Sequence, residues 1–144
     1  MRYLAWIAGF LLLLPGSRDA TAVESPFVGA KRCKLCHRAI YESWEASVHR
    51  AATESLPPAK RAPACLRCHA TGPPALPGVQ CEACHGAGGN YWPAEIMMDT
   101  EKAQRAGLVK PSESVCRRCH ATALPGHAAS FAMPEGPERE RAIH

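Results

Sequence analysis

The sequence predicts a small, mainly α-helical and loop-rich domain. Its length of 144 residues suits one compact domain rather than two. The 13 prolines and 11 glycines indicate many loops, and the alternating pattern typical of strands is scarce. So short and loop-rich a chain buries too little apolar surface to offset its conformational entropy. We therefore expect cross-links or a prosthetic group in its core.

The first residues have the pattern of a secretory signal peptide. A positive start at Arg2 precedes an apolar run from Leu4 to Leu14 and small residues at Ala20 and Ala22. The run is shorter than the roughly 20 residues of a membrane-spanning helix, which disfavours an uncleaved anchor. We expect a signal peptide over residues 1–22 and one domain over residues 23–144. That domain should be periplasmic or otherwise exported, without a membrane span.

The eight cysteines form four Cys-x-x-Cys pairs, and a histidine directly follows each pair. Two cysteines at this spacing lie on one side of a helical turn, where both sulfurs can add to the vinyl groups along one haem edge. The next residue is then placed to bind the iron through its imidazole. The four motifs are Cys33, Cys36 and His37; Cys65, Cys68 and His69; Cys81, Cys84 and His85; and Cys116, Cys119 and His120.

Zinc sites and disulfides are the alternative uses of paired cysteines. Neither of them needs a histidine directly after each pair, and attachment of haem outside the cytoplasm agrees with export. The motifs therefore predict four haem c groups, bound covalently by the cysteines and through iron by the histidines. The predicted fold is a small multihaem c-type cytochrome in which the haems form the core.

One longer helix is predicted between the first two motifs. Apolar residues recur at every fourth position from Ala39 to Leu56, which indicates an amphipathic helix of about five turns. Pro57 should end it. A linker over residues 57–64 and a loop over residues 71–78 should follow. The members of the apolar stripe are Ile40, Trp44, Val48, Ala52 and Leu56.

The second half of the chain shows shorter local signals. Glycines directly after the third motif should let the backbone pass close to a porphyrin. Asp99 or Thr100 should cap a short helix that ends near Gly107. A turn at residues 111–112 should lead into the fourth motif, and a last helical segment is predicted over residues 137–144. The glycines are Gly86, Gly88 and Gly89.

Three histidines outside the motifs are candidate sixth ligands of iron, although each could be an ordinary surface histidine. His49 lies on the predicted helix, about 18 Å along a continuous helix from His37, so we expect it to reach a haem other than the first. Either His127 or His144 should bind the fourth haem. Met97, Met98 and Met133 are alternative ligands, and the first two could instead fill core space.

Two stretches resemble the tetrahaem cytochrome c-554 family. The first comprises residues 26–37 with Trp44, His49 and residues 54–56. The second comprises residues 78–86 with Gly88 and Asn90, which are similar to the family's third haem site. The fourth motif follows in the same order. The likeness covers nearly all of residues 23–144, but this chain is much shorter between and after its motifs.

The resemblance implies a set of sixth ligands. His49 would bind the third haem and His144 the fourth, and the haem on His69 would have an open sixth position. At the first haem this chain departs from the family, because Glu95 stands where the family has a distal histidine. Met97 is then the preferred replacement and Met98 the second choice, whereas a glutamate ligand is least favoured.

These features indicate electron transfer. In the family that the chain resembles, electrons derived from hydroxylamine pass through closely packed haem pairs. We expect redox partner proteins that dock transiently and no nucleic-acid partner, although the formal net charge is +4. The alternative is a reductase or ligand-binding protein that uses a five-coordinate haem for small nitrogen oxides. The oligomeric state is left open.

Overall fold

The structure, a computed structural model, describes residues 26–73 and 75–120. The predicted signal peptide, His127, Met133, His144 and the predicted last helix lie outside these residues. Within them the fold is mainly helical and loop-rich, as predicted. None of the helices in the described ranges is long and apolar enough to cross a membrane.

The described residues form short helices joined by turns, with one small hairpin. The α-helices are α1 (Ala30–Cys33), α2 (Arg38–Glu45), α3 (Pro63–His69), α4 (Cys81–His85), α5 (Ala94–Met97), α6 (Thr100–Arg105) and α7 (Glu113–His120). The strands are β1 (Ala70–Thr71) and β2 (Leu76–Pro77), and single 3₁₀ turns cover Pro58–Lys60 and Gly88–Asn90.

The predicted helix over residues 39–56 is wrong beyond Glu45. Helix α2 ends at that residue, and a series of turns follows up to Leu56. The hydroxyl and backbone N–H of Ser47 both donate to the Trp44 carbonyl, at 2.7 and 2.9 Å, which favours a turn over further helix. Val48, in the middle of the predicted stripe, is 83% exposed. The separation of His37 and His49 therefore cannot be taken from a continuous helix.

The segment predicted as a loop after the second motif contains a hairpin. Strands β1 and β2 pair antiparallel, with Ala70 opposite Pro77 and Thr71 opposite Leu76. Gly72 is in the left-handed region at φ +61°, and a Cβ there would lie 2.5 Å from the Phe27 ring. A glycine is required at this position because a side chain would collide with that ring.

The predicted cap of the short helix near Gly107 is confirmed at Asp99. The Asp99 side chain accepts a hydrogen bond of 3.0 Å from the backbone N–H of Lys102, in the first turn of α6. This hydrogen bond holds the pKa of Asp99 below its usual value. Helix α6 ends at Arg105, and Gly107 follows with φ +110°.

The protein core of the described residues is small and partly polar. Its buried apolar residues include only two large side chains, and Thr71 and Glu82 are buried beside them at 1% and 2% exposure. A core of this size agrees with the expectation that a prosthetic group supplies much of the packing. The buried apolar residues are Ala30, Tyr41, Ala70, Tyr91 and Ala103.

Glu82 connects three segments through its carboxylate. It accepts backbone hydrogen bonds from Val28 at 2.9 Å, Gly29 at 2.7 Å and Gly88 at 2.6 Å. A Cβ on Gly88 would lie 2.9 Å from the carboxylate, and one on Gly89 would lie 2.8 Å from the Pro26 carbonyl. These two glycines therefore allow protein segments to approach closely. Their predicted approach to a porphyrin stays a prediction.

Replacing Glu82 by Gln should destabilise the protein more than its small change in volume suggests. One carboxylate oxygen becomes an NH₂ group that faces backbone donors, so buried hydrogen bonds are lost. We expect a loss of about 2 to 5 kcal/mol in the free energy of unfolding, measured by denaturant titration of the haem-loaded protein.

The control is Glu42→Gln, which removes the charge of an exposed ion pair with Arg38 at 2.8 Å. It should change stability by less than about 1 kcal/mol. Equal effects of the two substitutions would contradict the role assigned to Glu82.

Candidate haem-binding site

Each cysteine-histidine motif has the backbone of a helical turn. The second, third and fourth motifs lie within α3, α4 and α7. The first begins at the end of α1, where the Cys33 carbonyl accepts hydrogen bonds from Cys36 at 3.2 Å and His37 at 2.9 Å. The turn that the Cys-x-x-Cys spacing predicts is therefore present at each motif.

The donor set fits covalently bound haem. None of the eight cysteines is in a disulfide; Cys36 is exposed and the others are half-buried. Two accessible thiols and one imidazole on a helical turn are the groups that thioether attachment and iron ligation require. In the described ranges, no three His, Cys, Asp or Glu side chains come together as a metal-binding group.

The first and third motifs lie side by side. The Cys33 and Cys81 side chains are neighbours, and their interaction raises the pKa of Cys33 and lowers that of Cys81 to about 7. The Gln80 side chain, directly before α4, accepts a hydrogen bond of 2.7 Å from the backbone N–H of Ala30 in α1. Together with the contact of Glu82 to Gly29, these bonds hold α1 against α4.

The fourth motif contacts both the third and the second. The Arg118 guanidinium donates a hydrogen bond of 2.8 Å to the Ala83 carbonyl in α4. The Cys68 and Cys119 side chains are neighbours, and burial, followed by the interaction with Cys68, raises the pKa of Cys119 to about 11. The motifs thus meet in the order first, third, fourth, second. Sequence analysis did not predict this order.

Backbone carbonyls orient two motif histidines. The Nδ1 atom of His69 lies 2.9 Å from the Ala52 carbonyl, and that of His85 lies 3.1 Å from the Val109 carbonyl. A carbonyl only accepts, so Nδ1 carries the proton and Nε2 keeps its lone pair for a metal. This arrangement suits iron ligation. Sequence analysis did not single out Ala52 or Val109 for this role, because their side chains take no part.

His49 lies half-buried beside the fourth motif. Its ring centre is 6.1 Å from that of His120, and the two ring planes are inclined by 64°. Burial, and to a lesser extent the charge of His120, lowers the pKa of His49. The lowered pKa favours the neutral imidazole of His49, which is the form that binds metals.

The other candidate ligands of the described residues are spread over the surface. Met97 is half-buried at the end of α5, whereas Met98 is 88% exposed. Glu95 is exposed on the same helix, and His37 is exposed where α2 begins. The positions of Met97 and Met98 do not identify which of them is the sixth ligand of the first haem. Ligation by either stays a prediction.

Two threonines that sequence analysis passed over position the third motif. The Thr71 hydroxyl donates to the Gly78 carbonyl at 2.9 Å and accepts from the Gln80 N–H at 2.8 Å. The Thr53 hydroxyl donates to the His69 carbonyl and accepts from the Gly78 N–H at 2.7 Å. They hold the segment that enters α4. No motif or periodicity marks them, because their partners are backbone groups distant in sequence.

Helical Cys-x-x-Cys-His turns with free thiols and oriented imidazoles define a c-type cytochrome, with covalently bound haem. The chain is also similar in sequence to known cytochromes. Residues 32–86 match the family described as cytochrome c554 and c-prime. Cytochrome c-554 of Nitrosomonas europaea is 36% identical over 104 residues, in an alignment that covers 52% of this chain and 44% of that protein.

These two matches confirm the resemblance of the chain to the cytochrome c-554 family. The chain spans less than half the length of the relative from Nitrosomonas europaea. No solved structure matches the chain.

Thr71→Val should destabilise the protein and loosen the entry to α4. Valine has nearly the same shape but neither donates to Gly78 nor accepts from Gln80, so the buried Gly78 carbonyl and the half-buried Gln80 N–H lose their partner. We expect a loss of about 1 to 3 kcal/mol by thermal or denaturant unfolding.

Thr71→Ser is the matched variant, since it keeps the hydroxyl and loses only a methyl group. It should recover most of the stability lost in Thr71→Val. A serine variant as unstable as the valine variant would show that packing, rather than hydrogen bonding, determines the effect.

Proposed function

We propose that the chain carries four covalently bound haem c groups and relays electrons between redox proteins outside the cytoplasm. The observation that carries this proposal is that each Cys-x-x-Cys-His motif lies directly against another one. The Cys33 side chain lies next to that of Cys81, and the Cys68 side chain next to that of Cys119, while Arg118 joins α7 to α4. Each motif therefore has another motif as its direct neighbour.

Bound haem iron supplies reversible one-electron oxidation and reduction. The residues of the chain set the spacing and orientation of the sites. Hydrogen bonds from Nδ1 of His69 and His85 to carbonyls fix both imidazoles and raise their basicity. Direct contacts between motifs favour a relay, because electron transfer slows steeply as the distance between centres grows.

Redox partners are proposed to dock transiently, since electron carriers must release one partner before meeting the next. The proposed location outside the cytoplasm rests on the predicted signal peptide over residues 1–22 and on the covalent haem that the family implies. The similarity to cytochrome c-554 supports the assignment of the chain to the electron-carrying c-type cytochromes.

The number of haems is tested by maturation in a bacterial host that has c-type haem assembly. We expect mature protein whose intact mass shows four haem additions and whose haemochrome spectrum gives four haems per chain. The matched control is the Cys65→Ser/Cys68→Ser variant, which should carry three. Mature protein of unmodified mass and without colour would contradict the proposal.

The reductase alternative rests on the open sixth position that the resemblance implies for the haem on His69. We expect one of four ferrous haems to bind carbon monoxide, because an open iron is needed for that ligand. We also expect reversible voltammetric waves without catalytic current when hydroxylamine or nitric oxide is added. A sustained catalytic current with either substrate would favour the reductase over the carrier.

A further inference from the structure

The third Cys-x-x-Cys-His motif is the only one with an acidic residue between its cysteines. Glu82 stands there, whereas each of the other three motifs has at least one cation in that place. Those cations are Lys34 in the first motif, Arg67 in the second, and Arg117 and Arg118 in the fourth. The arginines are exposed and Lys34 is half-buried, but Glu82 is only 2% exposed. Water and salt screen an exposed charge, so the buried carboxylate acts more strongly on its surroundings than these cations do.

We propose that the buried charge of Glu82 lowers the reduction potential of the third haem. Reduction adds one electron to ferric iron and neither forms nor breaks a bond, so the positive charge at the iron falls by one. A fixed negative charge nearby therefore stabilises the ferric state more than the ferrous state. In this role Glu82 sets a potential and does not bind iron. The proposal rests on the haem content proposed above.

The position of Glu82 in the chain keeps it beside the third haem site. It directly follows Cys81 in α4 and precedes His85, the predicted iron ligand, by three positions. Residues three apart on a helix have Cβ atoms about 5 to 6 Å apart. The acidic residue and the predicted ligand thus belong to the same helical turn. Their separation does not depend on the packing of distant elements.

Three backbone N–H groups fix the carboxylate and stabilise its charge. One oxygen of Glu82 accepts from Val28 at 2.9 Å and Gly88 at 2.6 Å, and the other accepts from Gly29 at 2.7 Å. Backbone donors carry no net charge, so they hold the carboxylate without neutralising it. None of the ion pairs in residues 26–73 and 75–120 involves Glu82. Its negative charge is therefore left to act on neighbouring groups.

The charge of Glu82 acts on the attachment residue of a neighbouring motif. The interaction with Cys81, then burial, and then the charge of Glu82 raise the pKa of Cys33. A negative potential that disfavours a thiolate favours added positive charge at the same place, such as that of ferric iron. Because Cys33 belongs to the first motif, the first haem should feel the same charge. The effect should be largest at the third haem, whose motif contains Glu82.

The test measures the midpoint potentials of haem-loaded variants by redox titration, monitored by visible and electron paramagnetic resonance spectroscopy. Glu82→Gln removes the charge, whereas Glu82→Asp keeps the charge but also disturbs the three hydrogen bonds. Glu42→Gln, which removes an exposed carboxylate on α2, is the control for total charge. Cys81→Ser/Cys84→Ser lacks the third haem and so identifies the transition that belongs to it.

We expect Glu82→Gln to raise the midpoint potential of the third haem without loss of haem. At a fixed solution potential, the ratio of ferrous to ferric iron at this haem should rise by about 3- to 30-fold, the order of magnitude for one nearby unit charge at an effective dielectric constant of about 20. Glu82→Asp and Glu42→Gln should stay within about twofold of wild type.

Two results overturn the role of Glu82. The first is an unchanged potential of the third haem in folded, haem-loaded Glu82→Gln. The second is an equal rise in Glu82→Gln and Glu82→Asp, since disturbed packing and not charge would then determine the potential. Protein that carries no haem overturns the proposed function itself, so the two failures are distinguishable.

A second measurement decides the question if Glu82→Gln does not fold in ordinary buffer. All variants and the wild type are then titrated in about 1 M trimethylamine N-oxide, an osmolyte that favours the folded state. The same rise is expected there. Glu82→Asp, the milder change, is decisive by itself in one direction, because a rise of threefold or more with the charge retained overturns the proposal.

Discussion

The buried carboxylate of Glu82 is the interaction on which the rest of the structure depends. It accepts hydrogen bonds from three backbone N–H groups in two segments, one before α1 and one after α4. Glu82 itself belongs to the third motif. A buried charge of this kind is tolerated only when it is fully hydrogen-bonded, and such bonds are stronger than neutral ones. Burial of Tyr91 raises the pKa of its hydroxyl, and the charge of Glu82 is the second cause. This hydroxyl donates to the Gly86 carbonyl at 2.6 Å. Polar contacts to backbone thus perform a task that aliphatic packing performs in larger cores.

The same principle extends to the hairpin between the second and third motifs. Thr53 and Thr71 each use one hydroxyl as both donor and acceptor toward backbone groups. Among the described residues, every buried side-chain nitrogen and oxygen has a hydrogen-bond partner. These bonds set the direction in which the chain enters α4. Because α4 contacts α1 on one side and α7 through Arg118, its direction determines which motifs become neighbours. The proposed electron relay therefore depends on hydrogen bonds that lie outside the motifs.

Local signals predicted the cap of α6 correctly, but they missed the hairpin and extended the longest helix too far. The Asp99 cap was predictable because an aspartate before a helix accepts from the N–H of its own first turn, which needs no distant partner. The helix over residues 39–56 was predicted from apolar spacing alone, and spacing does not show whether anything covers the stripe. Val48 is exposed, and Ser47 satisfies the Trp44 carbonyl in a turn, so the helix stops at Glu45. A prediction from periodicity holds only where a buried partner surface exists.

The amino-acid sequence by itself predicted the chemistry of the four Cys-x-x-Cys-His motifs, because the spacing of two thiols and one imidazole on a helical turn follows from local backbone geometry. It also identified His49 as a candidate ligand. Tertiary structure alone decided that the first motif lies against the third and the second against the fourth, and that the His49 ring lies beside the His120 ring. These arrangements arise from bonds such as Trp44 to Val79 and Arg118 to Ala83, whose partners are 35 residues apart in each case. No local pattern encodes such pairs, since the free energy that selects them comes from all the packed segments together.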